Sequence, residues 1–394
     1  MSEFANTHRN SKRWQLLATV SAVALLSVSF SAQRAFAGDE SDHPLLWIEL
    51  GGQFNRLEDS QEIFAPVFPH SPSRPSMFSS SLDFQQPPLY SVDETGKLSF
   101  QLESSDWVFS ASVRFGRSAS KHEVHQQTYP KTFRTYFSLS GHPSSIGFRP
   151  FADRFADTNA KTSESHSVLD FQAGKDVGLG MFGSGGSSVI SLGVRFAQFS
   201  SKSDIAIKSN PDWKFSYKYA HFTSLGIPTL KIVGGQPYHT NAASLHAERN
   251  FRGVGPSLSW NASAPFVGNE KNGELTVDWG LNAALLFGRQ RAKTHHQATG
   301  QYHPSRGYFY THPRDLQLTY QGPAQPDHMR MRNVTVPNVG ATIGLTYRVE
   351  DFKISAGYRA DLFFNAMDGG IDTRKSENVG FYGPFASVSV GLGG

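Results

Sequence analysis

The stretch Leu275-Thr276-Val277-Asp278-Trp279-Gly280-Leu281-Asn282-Ala283-Ala284-Leu285-Leu286-Phe287 decides the fold. From Leu275 through Val277, Trp279, Leu281, Ala283 and Leu285 to Phe287, every second side chain is apolar, and Thr276, Asp278, Gly280, Asn282 and Ala284 fall between them. A period of two puts these classes on opposite faces of an extended strand, whereas a helix would scatter them.

The same alternation recurs on both sides. Leu46, Ile48, Leu50, Gly52 and Phe54 oppose Glu49, Gly51, Gln53 and Asn55; Trp107, Phe109, Ala111, Val113 and Phe115 oppose Ser110, Ser112, Arg114 and Gly116. Further segments are 164–176, 187–200, 247–264, 332–348, 351–364 and 380–392, with a weaker one at 95–103. The expectation is an all-β protein of about ten strands, within a range of eight to twelve.

Connection lengths alternate. Residues 104–105, 177–186, 265–273 and 349–350 are short links, and 57–94, 119–163, 201–246, 292–331 and 365–379 are long ones. Short turns at one end and long loops at the other characterise a transmembrane antiparallel β-barrel, with periplasmic turns and extracellular loops. A secreted soluble sandwich is the competing reading. It would bury the apolar face and solvate the polar one, but here the polar face is rich in Gly and Ser and several strands exceed the usual ~5–6 residues. Trp47, Phe54, Trp107, Phe115, Trp279, Phe287, Tyr347, Phe352, Phe363 and Phe364 lie near strand ends, where interfacial girdles belong.

Composition fits. The 394 residues are only 18% charged, carry 31 Phe and 36 Gly, and include no cysteine, which removes disulfide scaffolds, thiolate zinc sites and thiol catalysis. Residues 1–37 read as an export signal: Arg9, Lys12 and Arg13 precede an apolar core from Leu16 to Phe30, and Ala35-Phe36-Ala37 gives the cleavage pattern before Gly38. Its removal takes four of 37 basic residues and one of 33 acidic ones, leaving residues 38–394 nearly neutral. Nucleic acid is therefore not an expected partner.

Several fragments carry a family resemblance. RNFRGVGPSLSWNASAPF at 249–266 with DWGLNAALLFGRQRA at 278–292, DWVFSASVRFGRS at 106–118 and GATIGLTYRVEDFKISAGYRADLFFN at 340–365 together resemble the Legionella-type major outer membrane protein family. The resemblance rests on short motifs such as Gly253-Val254-Gly255-Pro256 and Leu286-Phe287-Gly288-Arg289. The resemblance implies an outer-membrane barrel that forms a pore and has surface contacts, with no catalytic residues. Insertion implies the barrel assembly machinery as a partner, which in many such barrels reads a terminal aromatic; this chain closes on Val390-Gly391-Leu392-Gly393-Gly394.

If the apolar face meets lipid, parity turns Glu49, Gln53, Glu103, Arg114, Asp170, Gln172, Arg195, Asp278, Asn282, Arg348, Lys353, Arg359 and Asp361 inward. Of these, Glu49, Arg114, Asp170, Arg195, Asp278, Arg348, Lys353, Arg359 and Asp361 are the candidate pore-lining charges. A barrel of ten strands is narrow enough for side chains to fill it. The same charges could therefore line a channel or pair into a plug.

Catalytic patterns are sparse. Asp153 and Asp157 share one loop and Asp327-His328 another, but neighbouring side chains diverge on an extended backbone. No nucleophile elbow, phosphate loop or zinc-protease motif occurs, and the glycines of Gly183–Ser187 have no helix after them. His295, His296, His303, His312 and His328 cluster in or beside 292–331 without metal-ligand spacing. The expectation is a non-enzymatic, cofactor-free barrel in a Gram-negative outer membrane, surrounded by lipid and passing ions or small hydrophilic solutes. The alternative is a closed barrel acting on surface partners through its long loops.

Overall fold

A computed structural model describes residues 46–58, 89–101, 105–128, 154–177, 186–211, 238–269, 273–303 and 327–392, with short pieces at 63–64, 84–85, 217–222, 228–233 and 319–321. Residues 1–37, read as an export signal, and Glu103, Asp153, His312 and residues 183–185 lie outside the described residues.

Ten long strands form the wall: β1 (Leu46–Glu58), β2 (Leu89–Gln101), β3 (Trp107–Thr128), β4 (Arg154–Asp176), β5 (Ser187–Pro211), β6 (Tyr238–Asn269), β7 (Gly273–His303), β8 (His328–Val349), β9 (Phe352–Asp368) and β10 (Ser376–Leu392). Each is antiparallel to the next, and β10 pairs with β1 through Leu46↔Leu392 to Glu58↔Gly380. Closure removes the unpaired edges that an open sheet would expose to lipid. The short links are tight. Glu350 takes a left-handed φ of 49° between β8 and β9, and Gly268 and Gly273, at φ 99° and 105°, frame the turn between β6 and β7. A side chain at either glycine would be strained.

The apolar face is the outer one. Leu50, Leu192 and Ile343 are exposed by 66%, 67% and 61%, which no aqueous protein core permits. The soluble sandwich is thereby excluded, and the outer surface meets hydrocarbon. Two of the residues expected in the girdles face inward instead. Trp47 shares its face with Glu49 and lies under the Lys353 ammonium, 3.5 Å from its ring, while Phe363 is fully buried in the lumen. Strand alternation explains both, because Ile48 and Phe364 occupy the outward positions beside them.

Strand lengths divide the barrel. β6 and β7 have 32 and 31 residues and β3, β4 and β5 have 22, 23 and 25, against 13 in β1 and β2. Roughly 9–11 tilted residues cross a bilayer, so β3 to β8 rise well above it as a wall. Residues 119–128, 154–163, 201–211, 238–246 and 292–303, expected within loops, are strand.

The polarity of the two faces inverts along that wall. Within the membrane band, apolar side chains point out. Above Phe115, Phe196, Val254 and Phe287 the outward positions become Arg117, Gln198, Arg252 and Arg289, then Lys121, Glu123, Asp157, Lys161, Asp204 and His246. The inner face there buries Ala160, Ile205, Ile207, Ala243, Leu245 and Ala247 as one cluster. Water outside and packing inside reverse the requirement that lipid imposed lower down.

Candidate functional site: the lumen

All nine candidate charges lie on the inner face, but the structure sorts them into two regions. Glu49, Asp278, Arg348 and Lys353 lie toward the periplasmic turns and are only partly covered, and Arg359 stands higher on β9, two residues below Asp361. Arg348 and Lys353 lie over the Trp47 ring, at 5.5 and 3.5 Å, and Arg359 over Phe385 at 5.3 Å. Asp278 accepts hydrogen bonds from Thr276, at 3.1 Å, and from Thr346.

Deeper in the barrel the remaining four pair off. Arg114 on β3 donates to Asp361 on β9 at 2.6 Å and lies 3.9 Å from Asp93. Three strands separate β3 from β9 one way around the ring and five the other, so this bond crosses the lumen. Arg195 on β5 makes a bidentate contact with Asp170 at 2.7 and 3.0 Å and donates also to Asn282, at 2.8 Å, and Asn338. Buried charges persist only when paired and hydrogen-bonded, and each of these has a partner of opposite sign.

Sequence reasoning missed the group at the centre. Asp93 has no solvent-exposed surface and accepts from Asn55 at 2.5 Å and Ser91 at 2.8 Å; the His166 ring nitrogen Nε2 sits 2.7 Å from it. A Cβ added to Gly116 would fall 2.0 Å from the Asp93 carboxylate and 2.5 Å from the His166 ring, so glycine is what makes room for the pair. Asp93 fell inside the expected 57–94 loop, and nothing in the alternation marked it.

Above Asp93 the lumen is apolar. The rings of Phe199 and Phe251 are 5.6 Å apart, Phe199 and Phe363 4.7 Å, and Phe199 and Phe381 5.6 Å. Phe199 stands on β5 and Phe381 on β10, opposite sides of the ring of ten. Leu57, Leu286, Val336, Met367 and Val379 pack around them in one buried cluster. A Cβ on Gly253 or Gly288 would meet the Phe251 ring at 2.5 or 2.7 Å, which gives both glycine-bearing motifs a physical role. Phe199 and Phe381 share a parity with the polar lumen residues, so alternation alone places them inward without revealing that they meet.

The mouth is covered by the connection 369–375, part of the 365–379 segment expected outside the barrel. Arg330 donates to Asp368 at 3.0 and 3.4 Å, to the Ile371 carbonyl at 2.8 Å and to the Gly370 carbonyl at 2.6 Å. Thr294 reaches the Ile371 carbonyl at 2.7 Å and Arg249 the Gly369 carbonyl at 3.1 Å. His296 lies 2.7 Å from Asp372. Polar side chains of β6, β7 and β8 thus pin the connection's backbone inside the wall.

Outside the wall, His125–Asp157 and His246–Asp204 pairs, each at 2.5 Å, border an open crevice of about 780 Å³ together with Lys161 and Lys208. Asp327 contacts Lys293 at 2.7 Å and His295 at 3.3 Å, and the Lys293 ammonium holds its carboxyl below the ordinary value. The neighbouring His328 turns instead toward Asp372, at 3.8 Å. Among the described residues no group of three or more His, Asp or Glu is arranged to hold a metal ion.

The sequence profile of the family described as the Legionella pneumophila major outer membrane protein precursor matches residues 122–391. No curated protein matches the chain. Among solved structures, the toluene transporter TodX of P. putida aligns at 10% identity and a TM-score of 0.16, covering 90% of this chain and 91% of that one. OmpT of Vibrio cholerae aligns at 9% identity and a TM-score of 0.11, covering 89% and 99%.

Proposed function

The chain belongs to the Legionella pneumophila major outer membrane protein family, and on that premise we propose that it is an outer-membrane barrel whose lumen is closed and whose working surface is the tall extracellular wall. The observation that carries this reading is the 5.6 Å contact between Phe199 and Phe381 on opposite strands. Rings that meet across a barrel leave no continuous aqueous path beside them unless they move. The wall built by β3 to β8, polar outside and packed inside, is far more structure than spanning a bilayer requires. Its outward face would meet surface partners.

A second reading is a gated pore, which is the role that the family resemblance implies. It is favoured by the connection 369–375, which is held by hydrogen bonds to side chains rather than by strand pairing. Partly covered Glu49, Asp278, Arg348 and Lys353 would then line the periplasmic entrance, with Arg359 above them, and bias ion preference.

Liposome swelling separates the two. The closed reading expects the folded, inserted protein to admit a neutral pentose no faster than protein-free liposomes do. Swelling that appears only when 369–375 is deleted would establish the gated pore, and swelling of the unmodified protein would refute closure.

A further inference from the structure

We infer that the outer face of β6 and β7 carries a binding site for the phosphate groups of an outer-leaflet glycolipid, formed by Arg252, Arg289 and Arg291. Arg252 and Arg289 are direct cross-strand partners, and all three guanidinium groups are exposed. Directly opposed side chains have their Cβ atoms about 5 Å apart, and like charges there repel. Among the described residues neither Arg252 nor Arg289 makes an ion pair. Among the described residues Arg291 has only the Met329 sulfur, at 3.6 Å. Glu248, further up the strand, is engaged by Lys202 at 3.4 Å. A wall that places two arginines face to face without a counter-charge lacks an anion.

Height selects the anion. Arg289 follows Phe287 at the next outward position, and Arg252 stands next to Val254; Phe287 and Val254 are exposed apolar side chains of the membrane band. One pleat above hydrocarbon is the headgroup layer. The same step from aromatic to arginine occurs twice more. Phe54 is followed by Arg56, which lies over the Tyr382 ring at 5.9 Å, and Phe115 by Arg117, which lies over Phe115 itself at 4.9 Å. Those two have an aromatic face to rest on. Arg252 and Arg289 do not oppose a ring but each other, which makes β6–β7 the place where the belt becomes a clamp. Guanidinium groups match phosphate bidentately, and a bound phosphate would convert their repulsion into two charge-assisted pairs. The acyl chains of the same lipid would lie along Leu258, Leu281 and Leu285, which are exposed below.

The test uses the full mature chain, folded in detergent micelles and titrated with bis-phosphorylated lipid A, with retained lipid read by native mass spectrometry. Binding is expected to weaken at least about tenfold in the Arg252→Ser/Arg289→Ser double variant. It should fall by less in Arg289→Lys, which keeps the charge but loses the fork. Lys121→Ser, higher on the wall, should bind as the unmodified protein does, and heat-modifiable migration confirms that each variant is folded. Equal retention by the double variant would overturn the site. Equal retention of dephosphorylated lipid A would show that acyl contact alone binds. Full competition by millimolar inorganic phosphate would assign the arginines to a free anion instead of a lipid. If the double variant fails to fold, Arg291→Ser provides the same comparison, and no loss there would also count against the site.

Discussion

Phe199 and Phe381, on strands facing each other across the barrel, bring their rings to 5.6 Å in the middle of the lumen. Removing both rings should therefore do two things. Each large-to-small change in a packed cluster costs about 3–5 kcal/mol, so the Phe199→Ala/Phe381→Ala protein should unfold at lower urea concentration. It should also pass ions that the unmodified barrel excludes. Destabilisation without any conductance would mean that the connection 369–375 seals the barrel by itself.

Arg114 and Asp361 are the polar counterpart. Reversing Arg114 to Glu sets a carboxylate against Asp361 and beside Asp93 in a site closed to water. Breaking a buried pair costs about 3–5 kcal/mol, and the folded yield should fall accordingly. The double exchange Arg114→Glu/Asp361→Arg should recover part of it. Heat-modifiable migration of refolded protein measures both, and a fully stable single variant would show that the pair is solvated.

Gly116→Ala examines the Asp93–His166 pair without touching either residue. The added methyl has only 2.0 Å to the Asp93 carboxylate, so the pair must separate or the strands must part. A loss of about 1–3 kcal/mol is expected from such overpacking, measured by urea unfolding from lipid vesicles. No loss would mean that Asp93 has room to shift.

Arg330→Ala should free the connection 369–375, since the guanidinium makes contacts to Asp368, Gly370 and Ile371 at once. Trypsin acting on intact cells should then cut after Arg374 or Lys375 several times faster, with barrel stability little changed. An unchanged cleavage rate would place the holding force in Thr294 and Arg249.

Asp327 supplies a pH dependence outside the membrane. Lys293 depresses its carboxyl below the ordinary value of 3.8, so the pair is intact at neutral pH and is lost only as pH falls through that lowered value. Replacing Lys293 by Ala should raise the Asp327 titration toward 3.8, observed by carboxyl NMR. The absence of any upward movement would show that His295 rather than Lys293 sets it.

Alternation made the barrel legible because one face of each strand met lipid. Leu275 to Phe287 and Phe352 to Leu362 read correctly for that reason, and all nine candidate charges face inward as parity requires. The pattern fails where the solvent changes. Above Arg117, Arg252 and Arg289 the apolar residues move to the inner face, and Ala160, Ile205, Ile207 and Leu245 alternate out of phase with the segments below them. Strands that switch phase resemble loops. Phe363 and Trp47 lie near strand ends as girdle residues do, but their parity turns them inward. The aromatic cluster itself is a tertiary fact: Phe199, Phe251, Phe363 and Phe381 come from four strands, and no local pattern announces that they converge.

Single-channel recording of residues 38–394 in a planar bilayer tests the central claim most directly. Circular dichroism and heat-modifiable migration would first establish that the protein is folded and inserted. The closed lumen predicts no stable conductance steps from the unmodified protein and their appearance in Phe199→Ala/Phe381→Ala. Discrete, long-lived steps from the unmodified protein would contradict it.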